Sequence, residues 1–142
     1  MNCEFLENAV RNGIPISAQM DFRVRELSAQ SIVVSGGADE NLNVHNTAFA
    51  GSLYSICTLA AWGLTFSKLP GNCSLVMAKA EIEYLRPVQG EIVASAMISE
   101  AQSATFLATL TDTGKARLSV EVIVENQQKT AVKFIAHLHV KA

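Results

Sequence analysis

The stretch FAGSLYSICTLAAWGLTFSK, Phe49 to Lys68, decides the fold. From Ala50 to Ser67 it carries no charged side chain, and its polar groups are hydroxyls: Ser52, Ser55, Thr58, Thr65, Ser67 and the Tyr54 phenol. At helical spacing Leu53, Ile56, Ala60 and Leu64 share one face, and Tyr54, Thr58, Trp62 and Phe66 share another. A helix that is apolar nearly all round is a buried helix. Twenty residues would reach about 30 Å, long enough for a membrane, but a run with this many hydroxyls is a poor spanning segment. Lys68, Pro70 and Gly71 supply the stop, and the polar run from Asn41 to Thr47 precedes the start. The chain is therefore expected to bury one central helix, and the rest of the sequence must wrap it.

Outward from that helix, the spacing predicts mostly strands. Upstream, Phe5, Leu6, Ala9 and Val10 predict a helix over 2–12 with Gly13 as its stop, and Ile14-Pro15 cannot continue it. Met20, Phe22 and Val24 alternate with Asp21, Arg23 and Arg25, a half-buried strand, and a short strand over 31–35 ends at Gly36-Gly37. Downstream, 73–88 reads as a long strand with Val76, Ala78, Ala80, Ile82 and Tyr84 on one face and Lys79, Glu81 and Glu83 on the other. A strand follows over 91–99. Phe106, Leu107 and Leu110 predict one or two helical turns capped by Ser103 and stopped at Gly114. Strands over 115–126 and 130–140 close the chain, with Val120, Val122 and Val124 inward on the first and Val132, Phe134, Ala136 and Leu138 inward on the second. No repeat or linker interrupts the sequence, so residues 1–142 are expected to form one domain. Strands joined by tight turns imply an antiparallel sheet. An α+β architecture follows, with that sheet curled round the helix and any helix surface left over facing a second copy of the chain.

Composition narrows the function classes. Charged residues make up 17% and the net charge is −2, which argues against a nucleic-acid binder with its basic face. The first ten residues, MNCEFLENAV, place acids where a secretory signal needs bases. Cys3, Cys57 and Cys73 show no metal-binding spacing, and an odd count without a signal reads as reduced thiols in the cytoplasm. His137 and His139 share a strand face but have no third ligand in the sequence pattern, so neither a metal nor another cofactor is expected.

Three short runs carry a family resemblance. Asn43 followed by Thr47 to Tyr54, TAFAGSLY, resembles the loop and helix start written N…GTxxGGxL in hotdog-fold acyl-thioester enzymes. Glu83 to Glu91, EYLRPVQGE, resembles their Y-x-R-P-x-x-G turn, and Gly114 to Leu118 resembles the start of their penultimate strand. The TAFAGSLYS run looks most like the YiiD-type thioesterase domain, sometimes fused to an acetyltransferase, although no such fused module is expected within these 142 residues. The resemblance implies a hotdog fold and a homodimer with a continuous sheet, which in some members pairs again into a tetramer. It also implies an acyl-CoA or acyl-carrier-protein thioester bound at the subunit interface, with its carbonyl near the start of the central helix.

Thioester hydrolysis needs a donor to the developing oxyanion and a group that positions or deprotonates water. The helix start at Phe49, Ala50 and Gly51 offers unpaired N–H groups and the positive end of the helix dipole. Many relatives have His-Gly-Gly at these positions, and one subgroup carries a helix-borne acid where this chain has Thr58. No carboxylate lies between Glu40 and Glu81, so any base comes from elsewhere. By the resemblance, Asn43 orients water or the carbonyl. His45 is the candidate base, with Asp39 or Glu40 as alternatives, although each is as readily a solvated loop group. Thr47, Ser52 and Thr58 are candidate hydrogen-bonding partners of the substrate, and Tyr84 stands at the end of the strand beside it. Arg86 and Arg117 are candidate partners for the phosphates of coenzyme A. The alternative is a module that binds an acyl thioester, or dimerises, without catalysis.

Overall fold

The computed structural model describes residues 1–142. Helix α1 (Cys3–Gly13) starts where the Asn2 side chain accepts the Phe5 N–H at 2.8 Å, and it buries Leu6 and Val10 one turn apart. A four-residue helix α2 (Ile16–Gln19) follows Pro15, which begins it because its ring fixes φ near the helical value. Strands β1 (Arg23–Leu27) and β2 (Ser31–Gly36) form a hairpin, and a 3₁₀ turn (Asp39–Asn41) leads toward the central helix α3 (Ala50–Phe66). Then come β3 (Ser74–Tyr84), β4 (Ile92–Met97), α4 (Glu100–Thr113), β5 (Lys115–Asn126) and β6 (Lys129–Lys141).

The six strands form one sheet in the order β1-β2-β4-β5-β6-β3, and every neighbouring pair is antiparallel. Helix α3 lies on one face of it and touches β2, β3, β4, β5 and β6. The expected arrangement, a sheet wrapped round one long helix, is the observed one. Ile56, Cys57, Ala60, Ala61 and Leu64 are fully buried against the inward residues of the strands, in a core that also takes Leu6 and Val10 from α1. Apolar burial of this kind is worth roughly 1.5–3 kcal/mol for each large side chain. Three hydroxyls of α3 sit in apolar surroundings because they bond back to the helix: Ser55 to the Gly51 carbonyl, Thr58 to Tyr54 and Thr65 to Ala61, each at 2.9 Å.

Four local readings change. Only β1–β2 and β5–β6 are joined as hairpins; β3 and β4 are consecutive in sequence, yet β4 lies inside the sheet and β3 forms its outer edge beyond β6. Residues Met20 to Phe22 turn before β1 rather than extending it, with Asp21 at φ 52°, although Phe22 and Val24 are both buried as their alternation requires. In β3 the register against β6 shifts between Met77 and Lys79. That bulge reverses the first half of the strand, so Leu75 and Met77 pack on the core while Val76 and Ala78 are exposed. Finally, the predicted one or two turns are a helix of 14 residues. It starts at Ser99 rather than Ser103, through a capping box in which the Ser99 hydroxyl accepts the Gln102 N–H at 3.0 Å and the Gln102 side chain accepts the Ser99 N–H at 2.9 Å. It stops at Gly114, as expected, in the left-handed conformation at φ 75°.

Candidate active site

The loop before α3 is built around Asn43. Its Nδ2 donates to Thr47 Oγ1 at 2.9 Å and to the Ala48 carbonyl at 3.3 Å, while Oδ1 accepts the N–H groups of His45 at 2.8 Å and Thr47 at 3.2 Å. Two backbone bonds close the same turn, from Asn43 N–H to the Thr47 carbonyl and from Asn46 N–H to the Asn43 carbonyl. Every polar atom of the Asn43 side chain is thus engaged by the loop it shapes. Asn46 takes φ 60°, a conformation asparagine tolerates because its short side chain bonds locally. The loop is pinned from outside by Ala48 N–H on the Val88 carbonyl and Phe49 N–H on the Asn41 carbonyl, both at 2.8 Å. The first pin brings the turn after β3 up against the start of α3.

That helix start is open. Phe49 is the N-cap residue and no side chain caps the helix. The first helical bond runs from Leu53 N–H to the Phe49 carbonyl at 3.0 Å, so the N–H groups of Ala50, Gly51 and Ser52 have no acceptor within the helix. The Phe49 ring folds back over Gly51, where a Cβ would come within 2.5 Å of it. Gly51 is therefore what lets the ring lie on the first turn. Tyr84, at the end of β3, donates its hydroxyl to the Ala50 carbonyl at 2.9 Å and ties the sheet edge to this turn. Burial chiefly, and then the nearby Cys57 and Tyr54, raise the Tyr84 phenol above its ordinary pKa and keep it a donor. The buried Cys57 thiol is pushed up to about 12 by desolvation; it is a packed thiol with no nucleophilic character at neutral pH. The surround is apolar: Phe49, Tyr84, Leu85 and Val44 are all exposed there, Val44 at 91%.

The other candidates divide. Thr47, Phe49, Ala50, Gly51, Ser52 and Tyr84 meet at the helix start, and His45 stands exposed on the loop beside them. Thr58 lies two turns along α3 with its hydroxyl on the Tyr54 carbonyl. Arg86 follows Tyr84 by two residues and donates Nε to the Thr130 carbonyl at 3.0 Å. Glu40 folds onto Gly37, and Asp39 is exposed in the 3₁₀ turn. Arg117 is not brought to the site: it pairs across β5–β6 with His139, which pairs with Val76, whereas Tyr84 stands opposite Val132 at the other end of those strands.

The sequence reading missed Asn41. It is 3% exposed; its Nδ2 bonds the carbonyls of Gly37 at 2.7 Å and Met20 at 3.0 Å, and its own carbonyl receives Phe49 N–H. Those two carbonyl partners fix the orientation of the amide. Its Oδ1 is the single buried side-chain polar atom without a partner. In sequence it is one polar residue among several in a loop, and nothing local marks it as the buried one.

No helix is long and apolar enough to cross a membrane, and no three His, Cys, Asp or Glu side chains cluster as metal ligands would. Several solved structures share the fold. A protein of unknown function from Chlorobaculum tepidum superposes with a TM-score of 0.90 at 26% identity, over 98% of this chain and 93% of its own. A "putative thioesterase from Shewanella oneidensis" gives 0.87 at 29% identity, over 99% and 96%. A thioesterase from Haemophilus influenzae, at 12% identity, shares the fold alone, with a TM-score of 0.77 over 99% of this chain and 90% of its own. The architecture is the hotdog fold. A family model described as "Putative thioesterase (yiiD_Cterm)" matches residues 3–141, and the chain belongs to that family.

Proposed function

We propose that this protein hydrolyses an acyl thioester of coenzyme A or of an acyl-carrier protein, at sites formed between two copies of the chain in the cytoplasm. One observation carries the reading: the uncapped start of α3, with three N–H groups unsatisfied by the helix and an exposed apolar surround. The thioester carbonyl accepts from these N–H groups, most directly at Gly51, once the Phe49 ring swings aside. Such donors stabilise the oxyanion that forms as water adds to the carbonyl carbon. His45 takes a proton from that water. The tetrahedral intermediate then expels the thiolate, which is protonated, and the carboxylic acid leaves. Asn43 shapes the loop that holds His45 and Thr47 there, Tyr84 fixes the first turn, and Arg86 pairs with a phosphate of the carrier.

Support for two copies comes from β3. It is an edge strand of 11 residues with nothing laid alongside it, and antiparallel pairing with its own copy would complete the sheet. The free thiols of Cys3, Cys57 and Cys73 suit a reducing compartment.

Thiol release from a panel of acyl-CoA and acyl-carrier thioesters tests the reading. His45→Ala should lower kcat by about 10²-fold or more, the usual worth of a general base. Gly51→Val should lower kcat/KM by a similar factor, because its side chain displaces the Phe49 ring and crowds the donors. Loss of neither activity would remove this mechanism. The absence of a carboxylate from the helix start favours a second reading, a module that binds acyl thioesters without cleaving them. Saturable acyl-CoA binding with no turnover of any thioester would establish it instead.

A further inference from the structure

The outward face of the sheet breaks a pairing rule at one end. Lys115 of β5 stands directly opposite Lys141 of β6, and in the next outward row Arg117 stands opposite His139. Like charges placed opposite one another across strands, as the two lysines are, are destabilising. Neither row contains an acid, and none of these side chains has a carboxylate within salt-bridge distance. Acids are not scarce on this face, but they stand elsewhere. Glu121 and Glu81 flank Ile135 beyond the hydrogen bond between Ser119 and His137 Nδ1, at 2.8 Å. The cations are therefore gathered and left unneutralised, at a cost in stability. A local rule broken without compensation marks a functional site more often than a scaffold.

The same side chains line a cleft of about 770 Å³, a size that suits a small molecule. The cleft exists because β4 reaches only to Glu121 of β5, and helix α4 lies against the part of β5 that β4 leaves bare. Thr109 of α4 forms one wall, and Ser74 and Val76 of β3 form the other. The Thr109 hydroxyl already donates to the Thr105 carbonyl at 2.8 Å. The donors left for a ligand are the Lys115 and Lys141 ammonium groups, the Arg117 guanidinium and the Ser74 hydroxyl. Val76, 55% exposed, adds apolar surface. Tyr84 and the start of α3 lie at the far end of the 11-residue β3, about 30 Å away along the strand.

We propose that this cleft binds a phosphate ester of nucleotide size, with its phosphates on Lys115, Arg117 and Lys141 and its uncharged part on Val76. The planar fork of Arg117 matches two phosphate oxygens at once, and the two lysines add point charges on either side. A bound dianion between Lys115 and Lys141 turns a repulsive row into an attractive one. A nucleic acid would need a longer basic track than one that gives way to Glu121 and Glu81. Such a site requires nothing of the reaction at α3.

Titration calorimetry with ADP, and with inorganic pyrophosphate as the phosphates alone, tests this at about 0.05 M and about 0.5 M salt, since the higher salt cuts the screening length to a few ångströms. Both probes should bind the wild type saturably at low salt, ADP the more tightly, and both should weaken at high salt. Lys115→Glu/Arg117→Glu should weaken both by about 10²-fold or more. Lys129→Glu/Lys133→Glu, an equal change of charge outside the cleft, should bind as the wild type does. Without ligand, Lys115→Glu alone should raise the melting temperature by about 1–3 °C, because it sets opposite charges face to face. Coenzyme A as a third titrant separates two sources of the phosphates. Displacement of ADP by coenzyme A would assign them to a carrier of the thioester, and ADP left in place would assign them to a free ester. No saturable binding of either probe overturns the proposal. So does binding that survives in Lys115→Glu/Arg117→Glu, or binding lost equally in Lys129→Glu/Lys133→Glu.

Discussion

The two edges of the sheet are built in opposite ways. Strand β1 has five residues and a register shift between Val24 and Glu26. Helix α1 lies against it: Glu7 accepts the Val24 N–H at 2.9 Å, and Arg11 donates to the Phe22 carbonyl at 3.1 Å just before the strand. Strand β3 has 11 residues, no element beside its outer edge, and no side chain bonded to its backbone. A short, bulged and covered edge is how proteins prevent further strand pairing, whereas a long bare edge invites it. The same chain therefore closes one side of its sheet with its own first helix and leaves the other open.

The largest effect expected from this contrast is on the closed side. Leu6 is fully buried beneath α1, and Leu6→Ala should cost about 3 kcal/mol in urea unfolding, whereas Val76→Ala on the open strand should stay within about 0.5 kcal/mol in conditions where self-association is absent. If the two cost the same, α1 is not what seals its edge. Second, Val76→Lys/Ala78→Lys should weaken self-association about 10²-fold, near 2.7 kcal/mol, while Glu26→Lys on β1 leaves it unchanged. Dilution series by light scattering would show this, and an unaltered dissociation constant for the β3 variant would mean that the open edge is not an interface. Third, Glu7→Ala leaves the Val24 N–H without its acceptor, so thermal unfolding should register a loss of about 1–2 kcal/mol. Tyr84→Phe should change stability little, by about 1 kcal/mol or less, since its bond to Ala50 is exposed. Its sharper readout is turnover, with kcat expected to fall about tenfold as the first turn of α3 loosens. A kcat equal to wild type would uncouple the β3 edge from the site.

What could be read from the sequence follows from how far each signal reaches. The charge-free run from Ala50 to Ser67 identifies α3 because burial of a whole helix needs only local composition. The alternation in β5 and β6 fixes their inward faces through the same local logic. In β3 the alternation misleads, because a bulge is a property of the strand together with its partner β6, and the faces of Val76 and Ala78 were assigned without that partner. Helix α4 is a different failure. The Ser99-x-x-Gln102 capping signature was present, but Ala and Thr dominate the helix exterior and blur its period. At the site, the motif located Gly51 and the loop, but the sequence could not show that the Asn43 amide is consumed by its own turn. Nor could it show that Asn41, two residues earlier, is the buried one. Both facts depend on where Gly37, Met20 and Ala48 come to lie in space.

The position of β3 also sets an order of assembly. Its one neighbour in the sheet is β6, and the pairing joins Ser74 to Lys141 near the end of the chain. Emerging from the ribosome, α3 and β3 precede every strand that later covers them except β2, so the apolar helix waits while 115–141 are made. The β5–β6 hairpin is local and forms quickly, but docking it on β3 must close a long loop first, which places this step late and slow. Until then the bare edge and the apolar faces of α3 are exposed together, the combination most exposed to aggregation during synthesis.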